Sequence, residues 1–215
     1  GLAVVFCLVP DFLGATLRQY AFMLKGLETL EKRLKAKQIE FFLITGPPGK
    51  KVPEFVGRCG AKLLVCDFDP LRAKRQWKNQ IASRITIPFN EVDAHNIVPC
   101  WIASDKCEYA AYTFRPKIRR LIPEFLEDFP QLSTHPFSWP SNPSMPIDWH
   151  RLRSDLACDP SVPEASWIAP GENAARTSLE NFIKERLAAY DKLRNDPNQN
   201  GQSDLSPHIH FGHLS

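Results

Sequence analysis

Short apolar runs alternate with amphipathic segments over the first half of the chain. The apolar runs predict buried strands at residues 2–9, 40–45, 61–67 and 84–89. The segments between them have apolar residues at helical spacing and predict helices at residues 16–37, 52–59 and 70–83. Strands that alternate with helices indicate a parallel sheet with crossover helices on both faces. We therefore expect a doubly wound, Rossmann-like α/β fold.

The pattern changes in the second half of the chain. Residues 108–129 again have helical spacing, whereas residues 130–171 are rich in proline, which removes backbone donors and breaks regular elements. An amphipathic helix is predicted from residue 172 to 194, followed by a polar loop. We expect an α/β domain over residues 1–129, an extended connector over 130–171 and a helical region over 172–215.

Composition limits the possible functions only loosely. The chain is 43% hydrophobic and 24% charged, as in ordinary globular proteins. Its net charge of +3 is compatible with nucleic acid or anionic ligands but does not select for them. No apolar run reaches the length of a membrane span.

The cysteines and their neighbours do not predict a metal site. None of the six cysteines forms a C-x-x-C pair, and Cys100, Cys107 and the nearby His95 match no common zinc spacing. Reduced thiols are the simpler interpretation, because disulfides form in oxidising compartments. We therefore expect an intracellular protein in a reducing compartment.

Three further stretches have ordinary structural interpretations. The stretch "LITGPPGKK" lacks the spacing and the final Ser or Thr of a phosphate loop, so we predict a strand-ending turn. The basic residues of the 70–83 helix predict a solvated face rather than a nucleic-acid contact. Asp93 and His95 follow a strand, where α/β proteins usually bind ligands, but no nucleophile accompanies them. A hydrogen-bonded structural histidine is therefore favoured over acid–base catalysis.

The closing stretch "DLSPHIHFGHLS" carries more chemistry than the rest of the chain. Ser206 as an N-cap and Pro207 in the first turn predict a helix start. Free N–H groups and the positive dipole end at such a start attract anions, and Gln202 and Ser203 add polar side chains. A capped helix without a ligand remains the alternative interpretation.

These segments together resemble a known family. The stretch from residue 167 to 215 resembles the start of the flavin domain of DNA photolyases. Residues 92–118, "VDAHNIVPCWIASDKCEYAAYTFRPKI", resemble the class II cyclobutane pyrimidine dimer photolyases in particular. Residues 6–27 and 67–77 also resemble that class. The resemblance covers essentially the whole chain and is more specific than any single motif in it.

The resemblance implies an architecture and a cofactor site. The family has an α/β antenna domain, then a long connector and an all-helical FAD-binding domain, in the order expected above. Its phosphate-contacting S-x-L-S-P turn matches Ser203, Asp204, Leu205, Ser206 and Pro207, and a tyrosine of its first flavin-domain helix matches Tyr190. These residues are therefore expected to bind FAD, and the resemblance assigns no catalytic residue and no metal ligand to this chain.

The resemblance also implies an activity. The expected function is that of a light-driven DNA repair lyase, which splits cyclobutane pyrimidine dimers in UV-damaged DNA by electron transfer from reduced FAD. An antenna chromophore of the deazaflavin or folate type is also implied. We expect a monomer in the nucleus, the cytoplasm or an organelle. A cryptochrome-type photoreceptor without repair activity, or an α/β binding module without flavin, are the alternatives.

The chain departs from the family pattern at several positions. His208 stands where an aromatic residue is usual, His213 where glutamine is common, and Tyr112 where the family has arginine, while Cys107 interrupts the same segment. The resemblance implies that the first strand precedes this sequence. It also places the flavin ring pocket, the tryptophan chain and most of the DNA surface beyond Ser215. The isolated chain is therefore expected to be inactive.

Overall fold

The computed structural model describes residues 1–140 and 145–214. Residues 141–144 of the predicted connector and residue 215 of the closing stretch lie outside the described residues. Spatial contacts divide the chain into two compact units, one made of residues 1–44 with 134–215 and the other of residues 45–133. The division by composition, at 129/130 and 171/172, follows the order along the chain and stays a prediction.

The first unit begins with a strand, a long helix and a second strand. Strand β1 (Ala3–Leu8) pairs with β2 (Glu40–Thr45), and helix α1 (Leu17–Ala36) connects them. The backbone N–H of Thr16 donates to Gln19 Oε1 at 2.9 Å, which satisfies an otherwise unpaired group at the helix start. These three predicted elements are confirmed to within one residue at each end.

The core of the first unit includes a tryptophan from the proline-rich segment. Trp149 opens helix α6 (Trp149–Ser154), which the sequence pattern did not predict. Its ring stacks on Phe41 with 6.4 Å between centroids, and its Nε1 donates to Glu31 Oε2 at 2.8 Å. The other buried members of this core come from β1, α1, β2 and the turn before β2: Leu8, Tyr20, Leu24, Leu34, Ile39 and Phe41.

The second unit contains a parallel strand pair and four helices among its described residues. Strands β3 (Leu64–Asp67) and β4 (Phe89–Val92) run parallel, with Leu64 opposite Phe89 and Asp67 opposite Val92. Its helices are α2 (Pro48–Cys59), α3 (Arg72–Ala82), α4 (Cys100–Ala103) and α5 (Ala111–Phe125). The predicted α/β class with parallel strands is confirmed, although the described strands form two two-stranded sheets rather than one.

Two predicted boundaries in this unit are wrong for reasons of proline chemistry. The strand expected at 84–89 begins only at Phe89, because Pro88 lacks the N–H needed for a ladder. Pro88 contributes its carbonyl instead, which accepts from the Leu64 N–H at 3.0 Å. Helix α2 begins at Pro48 rather than at residue 52, since proline suits the first helical position.

The helix expected over residues 172–194 is broken near its end. Helix α7 (Glu172–Glu185) stops at Arg186, a 3₁₀ turn follows at Leu187–Ala189, and α8 (Tyr190–Leu193) resumes. The last helix, α9 (Ser206–His210), has five residues. Among the described residues, no helix has the length and apolar character needed to cross a bilayer.

Trp149 offers a test of this core. Replacing Trp149 by Ala removes a buried ring and leaves Glu31 without its donor, so we expect a loss of about 3–5 kcal/mol in the free energy of unfolding. Denaturant unfolding measures the loss. His150→Ala, at the exposed neighbouring position, is the control and should change stability little. An unchanged midpoint for Trp149→Ala would show that α6 does not belong to the core.

Candidate functional site

The residues predicted to contact phosphate form one short turn, residues 203–207, here called the closing turn. Asp204 has a left-handed backbone (φ 58°), which aspartate tolerates better than most residues. The Ser203 hydroxyl accepts from the Leu205 N–H at 3.5 Å, and Leu205 is buried. Ser206 is exposed, and within the described residues its hydroxyl has no hydrogen-bond partner. The turn therefore presents hydroxyl groups that are available to a ligand.

The predicted role of Ser206 as an N-cap is wrong. Leu205 occupies the N-cap position, Ser206 is the first helical residue, and no side chain caps the helix. Pro207 does lie in the first turn, as expected. Because α9 is so short, its aligned dipoles are few, and hydroxyl and backbone donors remain as the means of holding an anion.

The carboxylate in the closing turn is neutralised by an arginine. Arg186, where α7 ends, donates from Nη1 to Asp204 Oδ2 at 2.6 Å and to Asn200 Oδ1 at 3.2 Å. The side chain of Arg186 is only 18% exposed, so its charge is partly shielded from water. This ion pair offsets the repulsion that a free Asp204 would exert on a phosphate, so the residues present fit a pyrophosphate.

Tyr190 lies on a segment, residues 190–194, that contacts the residues just before the closing turn. Its ring meets Phe182 edge-to-face with 5.1 Å between centroids. The Gln202 side chain donates to the Arg194 carbonyl, and Gly201 packs so closely on Leu193 that a Cβ there would overlap it. The structure thus brings the 190–194 segment beside the residues that precede the closing turn.

The stretch after the closing turn docks on α1. The ring of Phe22 lies 5.7 Å from that of His208, 5.4 Å from that of Phe211 and 4.9 Å from that of His213. The His213 ring also fills the space beside Gly26, where an added Cβ would overlap Nε2. Sequence reasoning noted the two histidines only as departures from a family pattern. A glycine inside a long helix is the one sequence signal that points to a close approach there.

Both histidines are buried and have depressed pKa values. Burial lowers the pKa of His208, which is fully enclosed. Burial, together with the neighbouring His208, lowers the pKa of His213 to about 4. Both rings are therefore uncharged near neutral pH.

Asp93 and His95 lie in the second unit and do not form an acid–base pair. The Asp93 carboxylate accepts from the backbone N–H groups of His95, Asn96 and Cys100, at 3.2, 3.1 and 2.9 Å. Burial raises the pKa of Asp93, but hydrogen bonds from Asn96, Cys100 and His95 outweigh it, and the net pKa is lowered. Asp93 thus fixes the loop after β4, and it contacts the backbone of His95 rather than its ring.

A cleft of about 370 Å³ lies between α4 and α5 in the second unit, and sequence reasoning did not identify it. One wall carries a charged network in which Lys117 Nζ lies 2.7 Å from Glu108 Oε1 and the Ser104 hydroxyl donates to the same oxygen at 2.8 Å. Hydrogen bonds from Lys117, Thr113 and Ser104 lower the pKa of Glu108 to about 2. The lining residues are Cys100, Ser104, Lys106, Glu108, Tyr109, Ala110, Ala111 and Phe114.

The possible metal ligands considered from the sequence do not converge. Across residues 1–140 and 145–214, no three His, Cys, Asp or Glu side chains are grouped so that they could hold an ion. Cys100 and Cys107 are free thiols. Burial, followed by the charge of Asp93, raises the pKa of Cys100, which disfavours its thiolate.

Comparisons with known proteins agree with one another. A family model described as DNA photolyase matches residues 1–135. The chain is 46% identical to a deoxyribodipyrimidine photo-lyase of Potorous tridactylus, with 100% of this chain and 40% of that protein covered. It is 41% identical to the enzyme of that name from Arabidopsis thaliana, with 100% and 45% covered. The chain therefore spans less than half the length of these relatives.

Solved structures show the same fold at low sequence identity. A Synechocystis cryptochrome matches with a TM-score of 0.72 at 17% identity, with 98% of this chain and 47% of that chain covered. A photolyase from Sulfolobus tokodaii, solved with two FAD molecules, matches with a TM-score of 0.66 at 18% identity, with 98% and 46% covered.

Proposed function

Because this chain belongs to the DNA photolyase family, we propose that it works as the N-terminal part of a light-driven DNA repair lyase. The reaction is the splitting of cyclobutane pyrimidine dimers in UV-damaged DNA. The finer assignment to class II rests on the segments at 6–27, 67–77 and 92–118. The chain covers 40% of its relative from Potorous tridactylus, so we assign the flavin ring pocket and the main DNA surface to the remaining length.

Repair is favoured over photoreception. Over the full length of this chain, its identity to a photo-lyase is 46%. Its identity to the cryptochrome with the same fold is 17%. Shared fold alone does not imply shared function. The higher identity therefore supports the repair assignment.

The closing turn carries the proposed FAD site. The supporting observation is that Ser206 presents an unpartnered hydroxyl beside Ser203, in a turn whose Asp204 is neutralised by Arg186. Hydroxyl and backbone donors in such a turn suit the two charges of a pyrophosphate. When bound and reduced, FAD supplies the light-driven electron that splits the dimer and then returns. Tyr190 and Leu205 complete the proposed set: Leu205 is the buried residue of the turn, and Tyr190 lies on the 190–194 segment, whose Arg194 carbonyl accepts from Gln202 just before the turn.

We propose that the cleft between α4 and α5 is the binding site of an antenna chromophore of the deazaflavin or folate type. Its volume of about 370 Å³ lies within the range of small-molecule sites. Tyr109 and Phe114 supply aromatic rings to the lining of the cleft, which suits a planar chromophore, and Lys106 supplies a charge that suits an acidic group.

The exposed arginines of α3, Arg72 and Arg75, leave the second unit with positive charge that is compatible with DNA nearby. We propose that the enzyme acts as a monomer in a reducing compartment, either the nucleus, the cytoplasm or an organelle. Free thiols such as Cys59 and Cys158 are consistent with that setting.

The two serines of the closing turn provide the test of the FAD site. In the full-length enzyme, Ser203→Ala with Ser206→Ala should weaken FAD binding by about tenfold to several hundredfold. The reason is that each charge-assisted hydrogen bond is worth roughly 1.5–3 kcal/mol before geometric losses. Equilibrium dialysis of the apoenzyme against FAD measures the change.

The control is a second pair of serines in the same unit. Ser154→Ala with Ser161→Ala removes two hydroxyls that bond only locally, to the Arg151 carbonyl and to Asp159, and should leave FAD affinity unchanged. Wild-type affinity in the Ser203/Ser206 variant would show that the pyrophosphate binds elsewhere.

The isolated chain should not repair DNA. We expect no light-dependent dimer splitting from these 215 residues, because the residues that enclose the flavin ring are assigned to the remaining length. The measurement is a count of dimers in an irradiated oligonucleotide after incubation with the chain and reduced FAD. Repair above a protein-free control would contradict this assignment.

A further inference from the structure

We propose that His208 and His213 are positioning residues that hold the closing turn on α1 only while both rings are uncharged. This inference rests on the proposed function, because its consequence is that flavin binding in the full-length enzyme becomes sensitive to acid. The pair is made of two residues at which the chain departs from the family pattern, and the structure brings them side by side.

The surroundings of His208 cannot stabilise a positive charge on its ring. Its ring is 0% exposed, and within the described residues neither ring nitrogen has a hydrogen-bond partner. The ring lies against Phe22 and is 5.9 Å from that of His213. A buried imidazolium needs acceptors for two N–H groups, and none faces this ring.

His213 is held as a neutral acceptor. The Gly171 N–H donates to His213 Nδ1 at 3.1 Å, so Nδ1 carries no proton and the neutral ring has its proton on Nε2. A second proton would have to enter at Nδ1, where it would meet the N–H of Gly171 and break that bond. The other edge of the His213 ring lies against the backbone of α1 at Gly26, which has no side chain. The ring therefore cannot move away from the Gly171 N–H without also losing its contact with α1.

Among the described residues, charged side chains on the surrounding elements do not offset a positive charge on the ring of His208 or His213. His210, on α9 itself, is exposed. Among the described residues, no carboxylate forms an ion pair with His208 or His213. Charged side chains of α1 are paired elsewhere: Lys25 with Glu164, Lys32 with Glu28, and Arg33 with Glu172, the first residue of α7.

The backbone connects the pair to the closing turn. His208 directly follows Pro207, and its carbonyl accepts from the N–H groups of His213 and Leu214 at 2.8 and 3.3 Å. The Phe211 N–H in turn bonds to the Pro207 carbonyl at 3.1 Å. If either ring leaves α1, the α9 helix and the closing turn lose the surface that fixes them.

The direction of the pH dependence follows from the depressed pKa values. A free histidine has a pKa near 6.5, whereas burial and His208 lower that of His213 to about 4. Well above about pH 6.5, His213 is neutral in both the docked and the undocked state, and docking has its full stability. As the pH falls from there toward about 4, the undocked state binds more protons and docking weakens. At about pH 5, protonation of His213 in the undocked state lowers the docking equilibrium constant by about 30-fold, without any contribution from His208.

Hydrogen exchange of the chain itself tests the pair. We expect the amides of Gly171, Phe211 and His213 to lose about 30-fold or more of their protection between about pH 7.5 and 5, after correction for intrinsic exchange. The amides at the centre of α1 should keep theirs. Histidine ¹⁵N spectra should show His213 with an unprotonated Nδ1 at both pH values.

Two substitutions remove the titration and keep the packing. His208→Phe loses no hydrogen bond, since the ring nitrogens have no partner, and His213→Gln keeps an acceptor for Gly171. In this double variant, protection should be independent of pH. His210→Gln is the matched control on the same helix and should behave like the wild type. Protection in the wild type that does not fall with pH, or a charged His213 at about pH 7.5, would overturn the inference.

The consequence for flavin is tested separately in the full-length enzyme. FAD retention should fall between about pH 7.5 and 5 in the wild type and much less in the His208→Phe/His213→Gln variant. If the amides lose protection while flavin is retained equally by both proteins, the positioning role is refuted. The Ser203/Ser206 variant remains an independent test of the FAD site, because its result does not depend on either histidine.

Discussion

The contact between the His213 ring and the backbone of α1 at Gly26 determines where the last described residues of the chain lie. A side chain at position 26 would occupy the space that the ring fills. On the same helix, Tyr20, Leu24 and Leu34 pack into the core with β1, β2 and Trp149. The unit of residues 1–44 with 134–215 is therefore organised around helix α1. This helix packs against strands β1 and β2 and also contacts the closing stretch.

The proposed cofactor site follows from this docking together with one ion pair. Arg186 interrupts the helical segment and extends to Asp204, which lies in a left-handed conformation at the start of the turn. Without the arginine, the carboxylate would oppose an anion at that place. With it, Ser203 and Ser206 supply neutral donors in a turn of reduced negative charge, which is the chemistry that a pyrophosphate requires.

The sequence predicted those parts of the structure that depend on local periodicity. The strand at 40–45 and the long helix α1 have clear patterns and were placed to within a residue. The strand at 84–89 was misplaced because its apolar pattern concealed the missing donor of Pro88. Helix α6 was missed because six residues in a proline-rich segment carry too little periodicity, although Trp149 makes it part of the core.

The site was only partly predictable for a related reason. Family resemblance placed the closing turn, but the break at Arg186 and the exposed position of Ser206 depend on contacts between residues far apart in sequence. The burial of His213 depends on the absence of a side chain at Gly26, nearly two hundred residues earlier, and His208 packs against Phe22 of the same helix. No pattern within the closing stretch contains that information.

Amide exchange in Gly26→Ala tests the docking most directly. Alanine favours a helix interior by about 1 kcal/mol over glycine, so α1 should remain as protected as in the wild type or become more so. The hydrogen-bonded amides within residues 205–214, such as those of Ile209, Phe211 and His213, should exchange at least about tenfold faster, because the new Cβ displaces His213. Gly57→Ala is the control, since a Cβ there meets nothing within 4 Å. Wild-type protection of residues 205–214 in Gly26→Ala would contradict the docking on which this account depends.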